Sequence, residues 1–374
     1  MRIALDARKL SRTESGIGTY TLNLARALLE ADKEVELVLV CNTAGNRGRL
    51  QDPRVREIAF PFPPVSPYTR YALGPFLRRQ HFDVFHSPFD VVPRGLHVPL
   101  VVTIHDLNWL VNRRYNATPP VVGRMIEHYY RASLTAAMQE AHGILAVSQA
   151  TRRAIVEYAP WYETKVRVTY NGLDSTRIYP MDKAVALRTI APLLTPGTPF
   201  VLTVGHGAPY KNHFHAVQGF MKAFGEHPAY RMILVRRVLF RDRALEALLR
   251  HPRVQARVLT LSHVPPDVLN ALYNTARVVL HPSYYEGFGL PLIEAMAVGT
   301  PLVTSTVSAM PEVAGTAALL VSPADTQAIA AALCRLDGDE ALRAHLIAEG
   351  HKRAGCFRWS ACAQATLAAY REVA

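Results

Sequence analysis

Two carboxylates, Glu286 and Glu294, bracket a glycine turn in the run His281-Pro-Ser-Tyr-Tyr-Glu-Gly-Phe-Gly-Leu-Pro-Leu-Ile-Glu-Ala-Met-Ala-Val-Gly-Thr. An apolar strand, Val278–His281, is predicted to end there, and Pro291 stands where the first position of a helix tolerates a missing N–H. The amides of Gly287, Phe288, Gly289 and Leu290 would then point out of the helix start. Together with the helix dipole they make an anion site suited to a diphosphate. Glu294, one turn inside the helix, could accept hydrogen bonds from two neighbouring hydroxyls, as on a ribose. Glu286, in the loop before the turn, could reach a second polyol at the other end of the phosphates. The plainer alternative, that both acids only favour a helix start, requires the glycines, Pro291 and both carboxylates to coincide by chance.

The same chemistry recurs at two other places. In Val204-Gly-His-Gly-Ala-Pro-Tyr-Lys-Asn, Lys211 is a compact cation beside another helix start, suited to neutralising a departing diphosphate. A solvated surface lysine is the alternative. His206, after the glycine of that strand, is a second candidate for phosphate contact. Gly16-Ile-Gly18 precedes a helix expected near Thr19 and can bring backbone close to a phosphate, or simply form a tight turn. A dinucleotide-binding reading of this loop fails, because the full G-x-G-x-x-G is missing and the second strand ends in Val40-Cys41-Asn42 without an acid for a ribose. No Walker-A sequence is present. Arg236 and Arg237, after a later strand, are candidate phosphate cations or surface charges. Asp337-Gly-Asp339 has the look of a metal-binding pair but sits between helical patterns, so it reads as a loop and helix cap, and no metal site is expected. Asn116-Ala-Thr118 matches a glycosylation acceptor that a cytosolic chain would not use.

These groups must be held by something, and the composition supplies it. Of 374 residues, 49% are hydrophobic and 19% charged, with mean hydropathy +0.05, which excludes disordered, collagen-like and disulfide-stapled chains. The apolar stretches fall far short of the ~20 residues of a membrane-spanning helix. The charged start of the chain shows no secretory signal. Cys41, Cys334, Cys356 and Cys362 form no C-x-x-C pair. The expectation is a reduced, cytoplasmic chain. Lys and Arg number 42 against 30 acids, a net +12, which favours polyanions of any kind but identifies none. Two basic-aromatic groups, Tyr68, Arg70, Tyr71, Phe76, Leu77, Arg78 and Arg79, and Trp109, Arg113, Arg114, Tyr115 and Arg124, suit a phosphorylated acceptor, an anionic membrane surface or a solvated face.

Short Val-, Ile- and Leu-rich runs alternate with amphipathic ones, the pattern of parallel strands buried on both faces. Strands are expected at Ile3–Asp6, Val35–Val40, Val55–Ala59, Asp83–His86, Val101–His105, Ile144–Val147 and Val166–Thr169. A second set is expected at Phe200–Val204, Arg231–Val235, Val258–Leu261, Ala276–His281, Leu302–Thr304 and Ala317–Val321. Helix breakers at Tyr179-Pro180 and between Pro192 and Pro199 suggest a linker. The chain thus reads as two α/β units in tandem, each offering ligands the carboxyl edge of its sheet.

The block Glu286-x7-Glu294 within E-G-F-G-L-P-L-I-E-A-M-A resembles the signature of the retaining GT-B glycosyltransferases of family 4. Met1-Arg-Ile-Ala-Leu-Asp-Ala-Arg with Ser15-Gly-Ile-Gly-Thr-Tyr, Thr103-Ile-His-Asp-Leu, Ala146-Val-Ser, Tyr170-Asn-Gly-Leu-Asp, Pro311-Glu-Val-Ala-Gly and Phe357-Arg-Trp…Tyr370 resemble its other landmarks, so the similarity is close to full length. It implies an α/β GT-B fold: two Rossmann-like, doubly wound parallel-sheet domains facing across a deep cleft. The expected bounds are 1–182 for an acceptor-side domain, 183–356 for a nucleotide-sugar domain, and 357–374 for a helix crossing back to the first.

The resemblance also implies a chemistry. A hexose would pass with retention from a nucleotide diphosphate sugar to a glycan or lipid-linked acceptor, without a bound metal or other cofactor. Glu286, Lys211 and His105 would serve catalysis, with His105 near the transferred sugar. Val264, in Ser262-His-Val-Pro, would read the base through its backbone. Asp106, Trp109, Arg113 and Arg114 would face the acceptor. The family usually has Arg-Lys where this chain has Tyr210-Lys211, and Arg236 and Arg237 are candidate substitutes. The opening motifs most resemble bacterial mannosyltransferases of polysaccharide and O-antigen assembly. GDP-mannose is therefore the expected donor, with UDP-glucose and UDP-N-acetylhexosamines as rivals. The chain would sit in the cytoplasm or on the inner face of the membrane, with no nucleic-acid partner. An epimerase of the same two-lobed plan and a basic nucleic-acid- or membrane-binding module are the readings from other classes.

Overall fold

The apolar runs become strands that are covered on both sides. In the first of them, Ile3 and Leu5 pack with Leu24, Leu28, Leu367 and Tyr370 on one face, while Ala4 joins Val38, Val102, Leu134 and Met138 on the other. A strand buried on both faces has no place for polar alternation, which is why these segments read as continuous hydrophobic runs. The computed structural model describes residues 1–10, 16–42, 48–111, 120–238 and 242–374, without the side chains of 120–123.

Two compact units emerge. Unit 1 takes in Met1–Val111, Arg124–Gly172 and Arg358–Ala374, and unit 2 is built on Leu173–Phe357. Unit 1 runs β1 (Arg2–Asp6), α1 (Gly16–Ala31), β2 (Glu36–Cys41), β3 (Val55–Ala59), α2 (Pro67–Tyr71), α3 (Leu73–Leu77), β4 (Val84–Ser87), β5 (Leu100–Ile104), α4 (Asn108–Val111), α5 (Pro120–Glu140), β6 (Gly143–Ala146), α6 (Gln149–Tyr158) and β7 (Val166–Val168). Its parallel sheet has the order β3-β2-β1-β4-β5-β6-β7. Unit 2 runs α7 (Lys183–Ile190), β8 (Phe200–His206), α8 (His213–Phe224), β9 (Arg231–Arg237), α9 (Arg243–Arg250), α10 (Pro252–Gln255), β10 (Val258–Leu261), α11 (Pro266–Thr275), β11 (Val278–His281), α12 (Leu290–Ala297), β12 (Leu302–Ser305), α13 (Met310–Ala314), β13 (Leu319–Val321), α14 (Thr326–Gly338) and α15 (Glu340–Ala354). Its sheet, also parallel, has the order β10-β9-β8-β11-β12-β13. The last helix, α16 (Trp359–Val373), belongs to unit 1. Each order reverses direction beside the first strand of its unit, the arrangement that places ligands at the carboxyl edge. Among the described residues, no helix is long and apolar enough to cross a membrane.

Several boundaries differ from the sequence reading. Unit 2 begins at Leu173, before the expected 183. The intervening segment is tied to α11, because the amides of Tyr179 and Met181 donate to Asn270 Oδ1 (3.1 Å) and Asn274 Oδ1 (2.8 Å). Between the proline clusters, where a linker was expected, Asp182 accepts from the Val185 amide at 3.0 Å and caps α7. Helix α1 starts at Gly16 rather than near Thr19, so both glycines lie in its first turn.

Helix α16 is fastened to unit 1 by polar as well as apolar contacts. Tyr370, fully buried, has its hydroxyl 2.5 Å from His86 Nδ1. His86 Nε2 lies 2.8 Å from Thr103 Oγ1, which lies 2.9 Å from the Tyr20 hydroxyl. Gly172 passes so close to Trp359 that a Cβ would stand 2.3 Å from its backbone nitrogen. Burial, and then the nearby His105, push His86 down to about 3. In the unfolded chain the same ring titrates near 6.5. The stability it contributes is therefore complete above pH 6.5 and drains away as pH falls toward 3. The unfolding free energy from urea titrations should accordingly drop between pH 7 and pH 5, by at most ~1.4 kcal/mol per pH unit for this ring. In His86→Gln the dependence should be shallower, and an unchanged slope would remove His86 as its source.

Candidate functional site

The site in unit 2 is assembled where β8 and β11, neighbours in the sheet, release their chains. After β8 a short 3-10 turn, Pro209–Lys211, leads to Asn212, whose left-handed backbone (φ 57°) turns the chain into α8. The Asn212 side chain donates to Pro282 O (2.8 Å) and Pro323 O (2.6 Å), and the Tyr284 amide donates to Tyr210 O at 2.8 Å. These bonds fix the β8 loop against the β11 loop and put Lys211 over Glu286.

Glu286 is the centre of this network. Its Oε1 and Oε2 accept from Lys211 Nζ at 2.6 and 2.8 Å. Its Oε1 also lies 2.9 Å from His281 Nε2 and accepts from Ser283 Oγ at 2.9 Å. Ser308, at φ 58°, donates through Oγ to Glu286 O at 2.5 Å and holds the backbone of the same residue. Burial by itself would raise the Glu286 carboxyl. The Lys211 charge and the hydrogen bond from His281 outweigh it and hold the group well below the usual carboxylate range. The glutamate is thus ionised, oriented and nine-tenths buried.

Three residues further on, Gly289 adopts φ +97°, a conformation closed to most side chains, and opens α12 with Pro291 in its first turn. Gly287, Phe288 and Gly289 are buried, and the Phe288 ring stands edge-on to Phe357 at 5.3 Å. One turn inside α12, Glu294 accepts from the Tyr273 hydroxyl at 2.6 Å. Tyr273 is fully buried, so it sets the position of one carboxylate oxygen from beneath. His206, 2.8 Å from the Tyr210 hydroxyl through Nε2, is pushed down to about 4 by burial and then by Lys211. Val264 is half-buried in the β10–α11 loop, at the same sheet edge. Arg236 is buried at the end of β9, whereas Arg237 is exposed, so the two arginines differ.

In unit 1 the carboxyl edge carries His105, Asp106 and Trp109. The His105 ring lies 3.1 Å from Pro88 O through Nε2, edge-on to Tyr20, and burial holds it at about 4. Asp106 accepts from the Asn108 amide at 2.8 Å, and Trp109 stacks on Tyr130 at 4.7 Å. Gly16 is exposed and Gly18 buried. Arg113 and Arg114 lie outside the described residues. Of the other basic-aromatic group, Arg70 is committed to Glu140 (2.8 Å), while Tyr68 and Tyr71 remain exposed. Asp337 binds Arg277 (2.8 Å) and Tyr230, and Asp339 caps α15.

His281, Ser283, Ser308 and Tyr273 carry no role in the sequence reading, although His281 closes the strand before the motif. An arriving phosphate would meet the α12 amides and compete with Glu286 for Lys211. Lys211→Met, which strands a buried carboxylate, should destabilise the protein by roughly 3 kcal/mol, the low end for breaking a buried pair, since His281 and Ser283 remain. Lys211→Met with Glu286→Gln should recover most of that loss in urea titrations. Equal loss in both would show that the pair is not coupled.

The description "Glycosyltransferase Family 4" matches residues 15–177, and "Glycosyl transferases group 1" matches residues 198–339. The O-antigen chain mannosyltransferase B of Escherichia coli is 28% identical, over 99% of this chain and 100% of its own. The D-inositol 3-phosphate glycosyltransferase of Nocardia farcinica is 32% identical, over 76% of this chain and 68% of its own. Among solved structures, Anabaena HepE in complex with UDP and glucose superposes with a TM-score of 0.78 at 18% identity, covering 100% of both chains.

Proposed function

Since the chain belongs to glycosyltransferase family 4, we propose that it moves mannose from GDP-mannose, with retention, to a hydroxyl of a glycan or lipid-linked saccharide in polysaccharide assembly. The observation that carries this reading is the buried Glu286, held between Lys211 and His281 in the loop that leads into α12. The preference for mannose rests on the full-length similarity to the O-antigen mannosyltransferase. A UDP-sugar donor is the second reading, favoured by the UDP and glucose bound in the HepE structure.

In the mechanism that follows, the bond from the sugar's anomeric carbon to the diphosphate breaks and a bond to the acceptor oxygen forms on the same face. The acceptor proton passes to the departing phosphate, and a nucleoside diphosphate leaves. Lys211 and the amides from Gly287 to Leu290 stabilise the charge growing on that leaving group, where preorganised donors act most strongly. No metal is required by this scheme. Glu286 fixes sugar hydroxyls and faces the positive charge at the anomeric carbon. Glu294 takes the ribose hydroxyls, and the Val264 backbone takes the base. We assign recognition of the acceptor to unit 1, with Asp106, Trp109, Arg113 and Arg114, and place His105 toward the sugar. The exposed Tyr68 and Tyr71 supply a surface for a lipid-linked acceptor at the inner face of a membrane.

Thermal shifts with GDP-mannose, UDP-glucose and ADP-glucose test the donor, because a ligand that binds only the folded state raises its melting point by mass action. GDP-mannose should give the largest shift, and a larger shift with UDP-glucose would decide for the second reading. Glu294→Ala should weaken donor binding about tenfold, the ~1.4 kcal/mol of one hydrogen-bonded contact to a charged group. Unaltered affinity by calorimetry would remove Glu294 from the ribose.

A further inference from the structure

Among the described residues, four nitrogen atoms at the carboxyl edge of the unit 2 sheet are buried without a hydrogen-bond partner: Arg236 Nε and Nη1, His213 Nδ1 and His206 Nδ1. They come from three elements that the sheet brings side by side. Arg236 lies in β9 opposite Gly205 of β8, and His206 is the next residue of β8. His213 opens α8, and its Nε2 would stand 3.3 Å from a Cβ placed on Gly205, so a larger residue there would press on the ring. Arg236 retains only 5% of its surface in contact with solvent. The acids whose charge reaches it, Glu246 and Asp242, belong to the start of α9, and Asp242 is engaged with the Leu245 amide at 3.1 Å.

A buried guanidinium with two unpartnered nitrogens is costly, and native proteins rarely keep such a group without a purpose. An anion with several oxygens would match these nitrogens, and the strand order points to one. The sheet edge runs from the Val264 loop after β10, past β9, to the Lys211 and Glu286 loops after β8 and β11. Arg236 therefore stands between the end assigned to the base and the end assigned to the departing phosphate.

We infer that Arg236 and His213 form a second anion subsite, which holds the donor phosphate nearest the nucleoside while Lys211 holds the one that leaves with the sugar bond. This assignment rests on the nucleotide-sugar reading above. The imidazole of His213 is kept neutral by burial and then by the Arg236 charge, so it contributes an N–H and Arg236 contributes the charge. Guanidinium and imidazole N–H groups converging on one phosphate would fill the unused donors and remove the desolvation cost in the bound state.

Calorimetry separates the two subsites. The nucleoside diphosphate among GDP, UDP and ADP that binds wild type most tightly is compared with its monophosphate. Arg236→Met should weaken both by the same factor, tenfold or more. Lys211→Met, made with Glu286→Gln to avoid a stranded carboxylate, should weaken the diphosphate far more than the monophosphate. Without ligand, Arg236→Met should melt at or above the wild-type temperature, since an unpaired buried charge has gone, and Arg236→Lys should retain part of the affinity. Wild-type affinity in Arg236→Met, a loss confined to the diphosphate, or a lowered melting temperature in the absence of ligand would overturn the assignment and leave the donor reading standing. Failure of wild type to bind any of the three diphosphates would overturn both.

Discussion

A carboxylate nine-tenths removed from water does not stay ionised by itself. Transfer into a low-dielectric interior penalises the charge by several kcal/mol, on the order of what breaking a whole buried ion pair costs. Glu286 meets that penalty with Lys211, His281 and Ser283, and those three residues come from the β8 loop, the end of β11 and the β11 loop. The arrangement can exist only if β8 and β11 are adjacent and their loops are clamped, which is the work of Asn212 and the Tyr284 amide. The β11 loop held in this way leads on into α12, which opens after Gly289.

An ammonium bound to both oxygens of one carboxylate is a charge already spent. In the proposed function, a phosphate arriving at the start of α12 would bring more negative charge than Glu286 offers and would draw Lys211 toward it. Unit 1 handles its own buried polar groups differently. His86, Thr103, Tyr20 and Tyr370 satisfy one another inside the core, and the product is architecture: the terminal helix is held on the sheet.

Much of this was legible in the residues. The strand Val258–Leu261 carries its own apolar signal and falls where that signal places it. Glu286, Glu294 and the Gly289-Leu-Pro291 turn announce a helix start with two acids because helix termini demand such residues. Ser283, Ser308 and Tyr273 were not legible, since small hydroxyls and tyrosines occur everywhere, and only the fold shows that Ser283 and Tyr273 face carboxylates and Ser308 the Glu286 backbone. The same holds for Arg236. At the end of a strand an arginine pair reads as exposed charge, and the alternation that buries one and exposes the other appears only when β9 is seen to extend to Arg237. Helix α7 was hidden among prolines that bound it without interrupting it.

The decisive measurement is the structure of the protein with a bound nucleoside diphosphate. Lys211 Nζ should then lie within about 3 Å of a phosphate oxygen, with the phosphates against the amides that open α12 and Glu286 still held by His281 and Ser283. A nucleotide seated elsewhere, with Lys211 still on both oxygens of Glu286, would contradict that placement.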